Sequence, residues 1–124
     1  MANIAEIAKL VLERTQEGRL AWEATAGENS YLATLGNQSV RISRGYDGME
    51  SNAPVYSLSV LNKDGLEIEN LSTPIGEWMK ALQERAFATP IDKNTLPMIF
   101  LLARRRALEV DKELDELAKV LSAR

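Results

Sequence analysis

The sequence predicts an α+β fold: an N-terminal helix, an antiparallel meander of about five short strands, and two or three C-terminal helices packed on one sheet face. Apolar residues recur with a helical period of about 3.6 at both ends of the 124-residue chain and with a period of two in its centre. Residues that favour turns separate the alternating segments. The length is typical of one domain, so we expect residues 1–124 to form a single α+β unit.

The first helix is expected to begin at Asn3, a preferred N-cap residue, with Glu6 three positions later as in a capping box. Apolar residues then follow helical spacing along one side, namely Ile4, Ile7, Ala8 and Val11. Gly18 is expected to end the helix, because glycine readily takes the left-handed conformation that follows a helix C-terminus.

Short strands are expected between residues 20 and 71, where apolar and polar residues alternate. The alternating apolar residues are Leu20, Trp22 and Ala24, then Tyr31, Ala33 and Leu35, then Val40 and Ile42, then Tyr56, Leu58 and Val60, then Leu66, Ile68 and Leu71. Gly36-Asn37 and residues 62–65 supply tight turns, and residues 45–54 (GYDGMESNAP) are expected to form a long surface loop. Ser57 and Ser59 indicate that one sheet face is partly solvated.

Helical spacing returns after Leu71. Thr73 and Pro74 form an N-cap and first-turn pair, ahead of apolar residues at helical spacing. These apolar residues are Ile75, Trp78, Met79 and Leu82. A further helix is expected to begin between Thr95 and Pro97, and another helical segment follows Asp111 with Leu114, Leu117, Ala118 and Leu121 in register. Whether Val110 and Asp111 kink one long helix or separate two stays open at this stage.

Composition excludes several classes of function. The chain has no cysteine and no histidine, which removes thiol chemistry, the commonest metal ligand and the usual general base. We therefore expect no enzymatic activity and no cofactor or metal. Net charge is −3, which repels phosphate backbones, so no nucleic-acid partner is expected. No apolar run reaches the roughly 20 residues of a membrane span, and we expect a cytoplasmic protein.

Three consecutive arginines, Arg104 to Arg106, are expected on the helix that begins near Thr95. Each residue advances a helix by about 100°, so the three side chains fan over roughly 200° and cannot track one phosphate backbone. Acidic residues follow directly in the sequence. We interpret the arginines as solvated or paired with those acids.

The same helix carries two apolar faces. Met98, Leu101, Leu102 and Leu108 cluster on one side, and Ile99, Phe100, Ala103 and Ala107 cluster on another. A helix that covers a sheet needs only one such face. Either the helix is sandwiched between the sheet and the last helix, or the second face contacts a partner; both can hold together. For the second case, the candidate interface is Ile99, Phe100, Ala103 and Ala107.

Trp22 and Trp78 could line a ligand pocket between sheet and helices, although isolated aromatic residues on apolar faces are usually core. The acids of EVDKELDE, at residues 109–116, lack the spacing and glycine of a calcium loop. At helical spacing they are typical of a solvated face.

The segments GRLAWE, YLATL, VRIS, YSLSVLNKDGLEIENL and LLARRRALEVDKELDEL together resemble a small bacterial α+β domain with a Trp-containing strand and a terminal Ala-Arg-rich helix. The resemblance implies a bacterial α+β domain and supplies no catalytic residue. The leading functional hypothesis is a non-enzymatic protein-interaction module or homodimer. Alternatives are an acidic chaperone or inhibitor-like binder of a larger protein, and a small-molecule sensor or enzyme using the tryptophan pocket.

Overall fold

The computed structural model describes residues 3–46, 54–73 and 93–123. The elements are α1 (Ile4–Gln16), β1 (Trp22–Ala24), β2 (Ser30–Leu35), β3 (Gln38–Tyr46), β4 (Pro54–Leu61), β5 (Glu67–Ser72), α2 (Thr95–Ala107) and α3 (Val110–Ser122). The strands form one antiparallel meander in the order β1-β2-β3-β4-β5. The predicted α+β class, its first helix, its five strands and two helices after the sheet are confirmed. The helix predicted after Thr73, with Trp78, falls outside the described residues.

Some of the predicted boundaries differ from the structure. Leu20 is buried but precedes β1, which begins at Trp22. Gly45 and Tyr46 belong to β3, and Pro54 begins β4, so the predicted loop is shorter at both ends. Proline is tolerated as the first residue of a strand because no ladder hydrogen bond is needed from its nitrogen there. The rest of that loop, residues 47–53, falls outside the described residues.

Helix α1 begins and ends as its sequence indicates. The side-chain oxygen of Asn3 accepts a hydrogen bond from the backbone N–H of Glu6 at 3.0 Å. Gly18 has a φ of +72°, and the N–H of Arg19 donates to the carbonyl of Arg14 at 2.9 Å, as in a Schellman motif. A side chain at Gly18 would be strained in this conformation, so glycine ends the helix at low cost.

The core lies between one face of the sheet and helices α1 and α2. Tyr31, Ile42, Leu58 and Leu71 align across four neighbouring strands and are all buried. The helices complete the core with Ile4, Ala8 and Val11 of α1 and with Leu96, Ile99, Phe100 and Ala103 of α2. Burying one large aliphatic side chain contributes about 1.5–3 kcal/mol, so this layer supplies the main stabilisation of the fold.

The opposite sheet face is polar and half-buried, as the alternating serines predict. Ser43, Ser57 and Ser72 are register neighbours, and the hydroxyl oxygens of Ser57 and Ser72 are 2.9 Å apart. Ser59 is almost fully buried, and its hydroxyl oxygen accepts a hydrogen bond from the side-chain amide of Asn70 at 3.1 Å. Side-chain pairing across the strands therefore satisfies a buried hydroxyl on this face.

Helices α2 and α3 are separate, and the break lies at Glu109, just before Val110. Glu109 adopts the left-handed conformation, with φ 51° and ψ 44°, which interrupts helical hydrogen bonding without a glycine or proline. The guanidinium of Arg105 pairs with the carboxylate of Asp111 across this joint. The open question of a kink or a break is thus settled in favour of two helices.

Candidate functional site

The structure decides which apolar face of α2 is buried. Ile99, Phe100 and Ala103 are 0%, 3% and 0% exposed, and Ala107 packs half-buried against them. A face that packs on the sheet of its own chain cannot also contact a partner. These four residues therefore belong to the core or pack against it, so the candidate interface predicted there is not exposed.

The outer side of α2 is apolar and open to solvent. Met98, Leu101 and Leu108 are 40%, 49% and 43% exposed, while Leu102 is half-buried. One of the two alternatives drawn from the sequence, a helix sandwiched between the sheet and the last helix, would have placed these side chains under α3. They stay exposed because α3, although it contacts α2 at the joint, does not cover this side. We call Met98, Leu101 and Leu108, the last of which is the C-cap directly after α2, the outer patch of α2.

Helix α3 is amphipathic, yet none of its residues is buried. Leu114 and Leu117 are each 51% exposed, Val120 is 70% exposed and Leu121 is 75% exposed. We call these four residues the α3 stripe. A lone helix shorter than about 12–15 residues is marginal in water, and most protein helices are stabilised by packing an apolar face. The 13-residue α3 has no such packing within the described part of the chain.

An open groove lies beside Trp22, between the end of α1, β1 and the joint of α2 with α3. Its volume is about 680 Å³, and its apolar lining includes Leu20, Trp22, Leu102 and Ala107. Trp22, one of the two residues predicted to line a pocket, borders this groove. Trp78, the other member of that prediction, falls outside the described residues.

The polar atom of Trp22 is used within the fold. Its ring N–H donates to the hydroxyl oxygen of Thr15 at 3.2 Å, and that hydroxyl donates to the carbonyl of Val11 at 2.7 Å. Trp22 itself is almost fully buried. Its main contribution is therefore to hold β1 against the end of α1, with one side contributing to the groove.

The charged groups that line the groove are largely paired. Arg105 pairs with Asp111, and the ammonium of Lys112 lies 3.8 Å from a carboxylate oxygen of Glu109. Arg106 also lines the groove and forms no ion pair with another described residue. Glu23 lines the groove as well and likewise forms no ion pair with another described residue, so the lining offers an apolar floor, one unpaired cation and one unpaired carboxylate.

The sequence analysis did not identify Arg44, an arginine of β3 whose side chain lies on the core side of the sheet. The guanidinium carbon of Arg44 lies 4.9 Å from the centre of the Phe100 ring, close enough for a cation–π interaction. Its Nε is buried and has no hydrogen-bond partner among the described residues. The signal was present in the alternation, since Arg44 follows Val40 and Ile42 at a spacing of two and so points towards the core.

Among residues 3–46, 54–73 and 93–123, no cluster of three or more acidic side chains is placed to hold a metal ion. No helix in these same ranges is both long and apolar enough to cross a bilayer. Comparison with protein-family models, with curated proteins and with solved structures gives no match. The class that the fold defines is an α+β protein whose five-stranded antiparallel meander is backed by helices.

Proposed function

We propose that the protein is a non-enzymatic protein-interaction module and that the α3 stripe is its binding surface. The observation that supports this most directly is an amphipathic helix without a single buried residue. Its four apolar side chains lie on one side, so a partner can cover them together. Contiguous exposed apolar surface of this kind marks interaction sites in proteins of this size.

The test compares three forms of the purified protein: the wild type, Leu117→Glu, and Leu66→Glu. Leu66 is 63% exposed and lies in the turn before β5, which makes it a matched control for adding a charge at an exposed leucine. Each form is used as bait, and any bound protein, including a second copy of the chain, is then purified and its affinity for the bait is measured directly.

We expect the wild type and Leu66→Glu to bind equally, and Leu117→Glu to bind at least tenfold more weakly, because a charge in an apolar contact must be desolvated. Equal binding by all three forms would remove the α3 stripe as the binding surface. Complete absence of association by the wild type would count against an interaction role altogether.

The groove beside Trp22 supports a second candidate, a sensor for a small anionic molecule with an apolar body. Its apolar floor and Arg106 favour this candidate, whereas the carboxylate of Glu23 in the same lining disfavours an anion close to it. The chain has two tryptophans, so a Trp78→Phe variant leaves Trp22 as the sole indole emitter. A saturable change in its fluorescence, abolished by Arg106→Ala, is the expected result; a flat response across a panel of carboxylates and phosphates would reject this candidate.

A further inference from the structure

We infer that the partner of the α3 stripe is a second copy of this chain, with α3 of each copy lying on the outer patch of α2 of the other. The inference rests on the proposed interaction role and names its partner. Two observations lead to it: both surfaces are apolar and exposed, and the charged residues beside them have opposite sign.

The borders of the α3 stripe are acidic. At about 100° per residue, Glu113 lies roughly 50° from the centre of the stripe, between Leu117 and Val120, and Asp111 lies roughly 110° from it on the other side. Glu116 and Asp115 lie further round the helix. The two lysines of α3 lie nearly opposite the stripe. Only Asp111 of these acids pairs with another described residue, so the other three carboxylates are available to a partner.

The borders of the α2 outer patch are basic. Helix α2 contains no acidic residue. Arg105 lies within the patch, between Leu101 and Met98 on the helical wheel, and its guanidinium is paired with Asp111. Arg104 lies roughly 80° from the centre of the patch on one side, and Arg106 lies roughly 120° from it on the other. Both are exposed, and neither forms an ion pair with another described residue. An acid-bordered apolar stripe and a base-bordered apolar patch are complementary in both respects.

The two surfaces belong to one chain but do not meet within it. Leu101 and Leu108 stay exposed, and α3 buries none of its side chains, since the joint at Glu109 directs α3 away from the outer patch. In a dimer with twofold symmetry, the α3 stripe of each copy can pack on the outer patch of the other copy. The same contact then occurs twice, and each copy supplies one stripe and one patch.

Other pairings of the same surfaces are electrostatically worse. Packing α3 on α3 of a second copy would bring its acidic borders together, and packing α2 on α2 would bring arginines together. Like charges at close range in a partly desolvated interface oppose association. The reciprocal arrangement is the one in which each apolar contact is flanked by opposite charges.

The experiment uses two charge-reversed forms of the full chain. Form A carries Arg104→Glu and Arg106→Glu; form B carries Glu113→Lys and Glu116→Lys. Mass is measured by light scattering across a dilution series for the wild type, for A, for B and for an equimolar mixture of A and B. Lys119→Glu, on the back of α3, is the charge-change control, and circular dichroism checks that each form is folded.

We expect a wild-type mass near twice 13.8 kDa. A alone and B alone should dissociate at least tenfold more readily, the mixture should return to the dimer mass, and the Lys119→Glu control should match the wild type. The mixture is decisive because only an A–B pair restores opposite charges at both contacts. A dimer of A as tight as the wild type would instead overturn the reciprocal arrangement.

The failure of this inference is distinguishable from failure of the proposed function. A wild type that stays monomeric at high concentration but binds a different purified protein, in a manner lost in Leu117→Glu, overturns self-association and leaves the interaction role standing. A wild type that stays monomeric and binds nothing overturns both. A wild-type dimer that Leu117→Glu does not weaken places the dimer interface elsewhere and overturns the inference.

Discussion

The ring N–H of Trp22 and the hydroxyl of Thr15 are joined by a hydrogen bond of 3.2 Å between the first strand and the end of the first helix. The Thr15 hydroxyl in turn donates a hydrogen bond to the carbonyl oxygen of Val11, so the three groups form a short hydrogen-bonded chain. Because β1 has only three residues, this side-chain contact is an important part of its attachment to the fold.

Removing this link should destabilise the protein measurably. Thr15→Val preserves shape but leaves the buried Trp22 N–H without its acceptor, and we expect a loss of about 1–2 kcal/mol in the free energy of unfolding. Urea unfolding followed by tryptophan fluorescence measures it. Thr34→Val, at an exposed position of β2, is the control and should change stability by less than about 0.5 kcal/mol. Equal effects of the two substitutions would mean that the Trp22 hydrogen bond contributes nothing.

The two faces of α2 should respond very differently to truncation. Ile99 is fully buried and Leu101 is 49% exposed, although they are two residues apart on one helix. We expect Ile99→Ala to cost about 2–5 kcal/mol and Leu101→Ala less than about 1 kcal/mol. Both are measured by denaturant unfolding in a Leu117→Glu background, so that association does not contribute. A larger cost for Leu101→Ala than for Ile99→Ala would contradict the assignment of the buried face.

Replacing Glu109, the residue between α2 and α3, with glycine should stabilise the protein. Glu109 has a φ of 51°, a conformation that costs an L-residue roughly 1–2 kcal/mol per residue. Glycine avoids this cost but adds freedom to the unfolded chain, so we expect Glu109→Gly to stabilise by about 0.5–1 kcal/mol. Thermal unfolding followed by circular dichroism measures the change. Glu113→Gly, inside α3, should instead reduce helicity, and similar effects of both would argue for one continuous helix.

The polar sheet face should show coupling between Ser59 and Asn70. The Asn70 amide donates to the buried hydroxyl oxygen of Ser59, so Asn70→Ala leaves that hydroxyl without this partner and should cost about 1–3 kcal/mol. Ser59→Ala removes the hydroxyl itself. The double variant should therefore be less destabilised than the sum of the two single ones, by about 0.5 kcal/mol or more in a double-mutant cycle. Strict additivity would mean that the contact carries no coupling.

Much of the architecture could be predicted because its signals are local. The spacing of apolar residues changes from helical to alternating and back, and this change locates α1, the sheet and the last two helices in the sequence. Gly18 follows directly after the C-cap of α1 and marks the end of that helix. The break at Glu109 carried no such signal. Its left-handed backbone occurs at a glutamate, which strongly prefers the right-handed region, so only the surrounding structure holds it there.

The candidate site was predicted in part. The sequence indicated two apolar faces on α2 and an apolar stripe on α3, but it assigned the interface to Ile99, Phe100, Ala103 and Ala107. Periodicity measures how apolar a face is and not what it packs against, and the two faces of α2 are similarly apolar. Trp22 was recognised as a candidate, whereas its hydrogen bond to Thr15 depends on how β1 meets α1 in space.

The sequence alone determined the order and type of the elements, the polar outer face of the sheet and the absence of histidine and cysteine chemistry, because each depends on neighbouring residues or on composition. Tertiary structure alone decided which face of α2 is buried and that α3 is left uncovered. The reason is steric and collective, because Ile99, Phe100 and Ala103 pack against the buried side chains that align across the sheet. With that face of α2 buried, the outer patch and the α3 stripe lie outside the core.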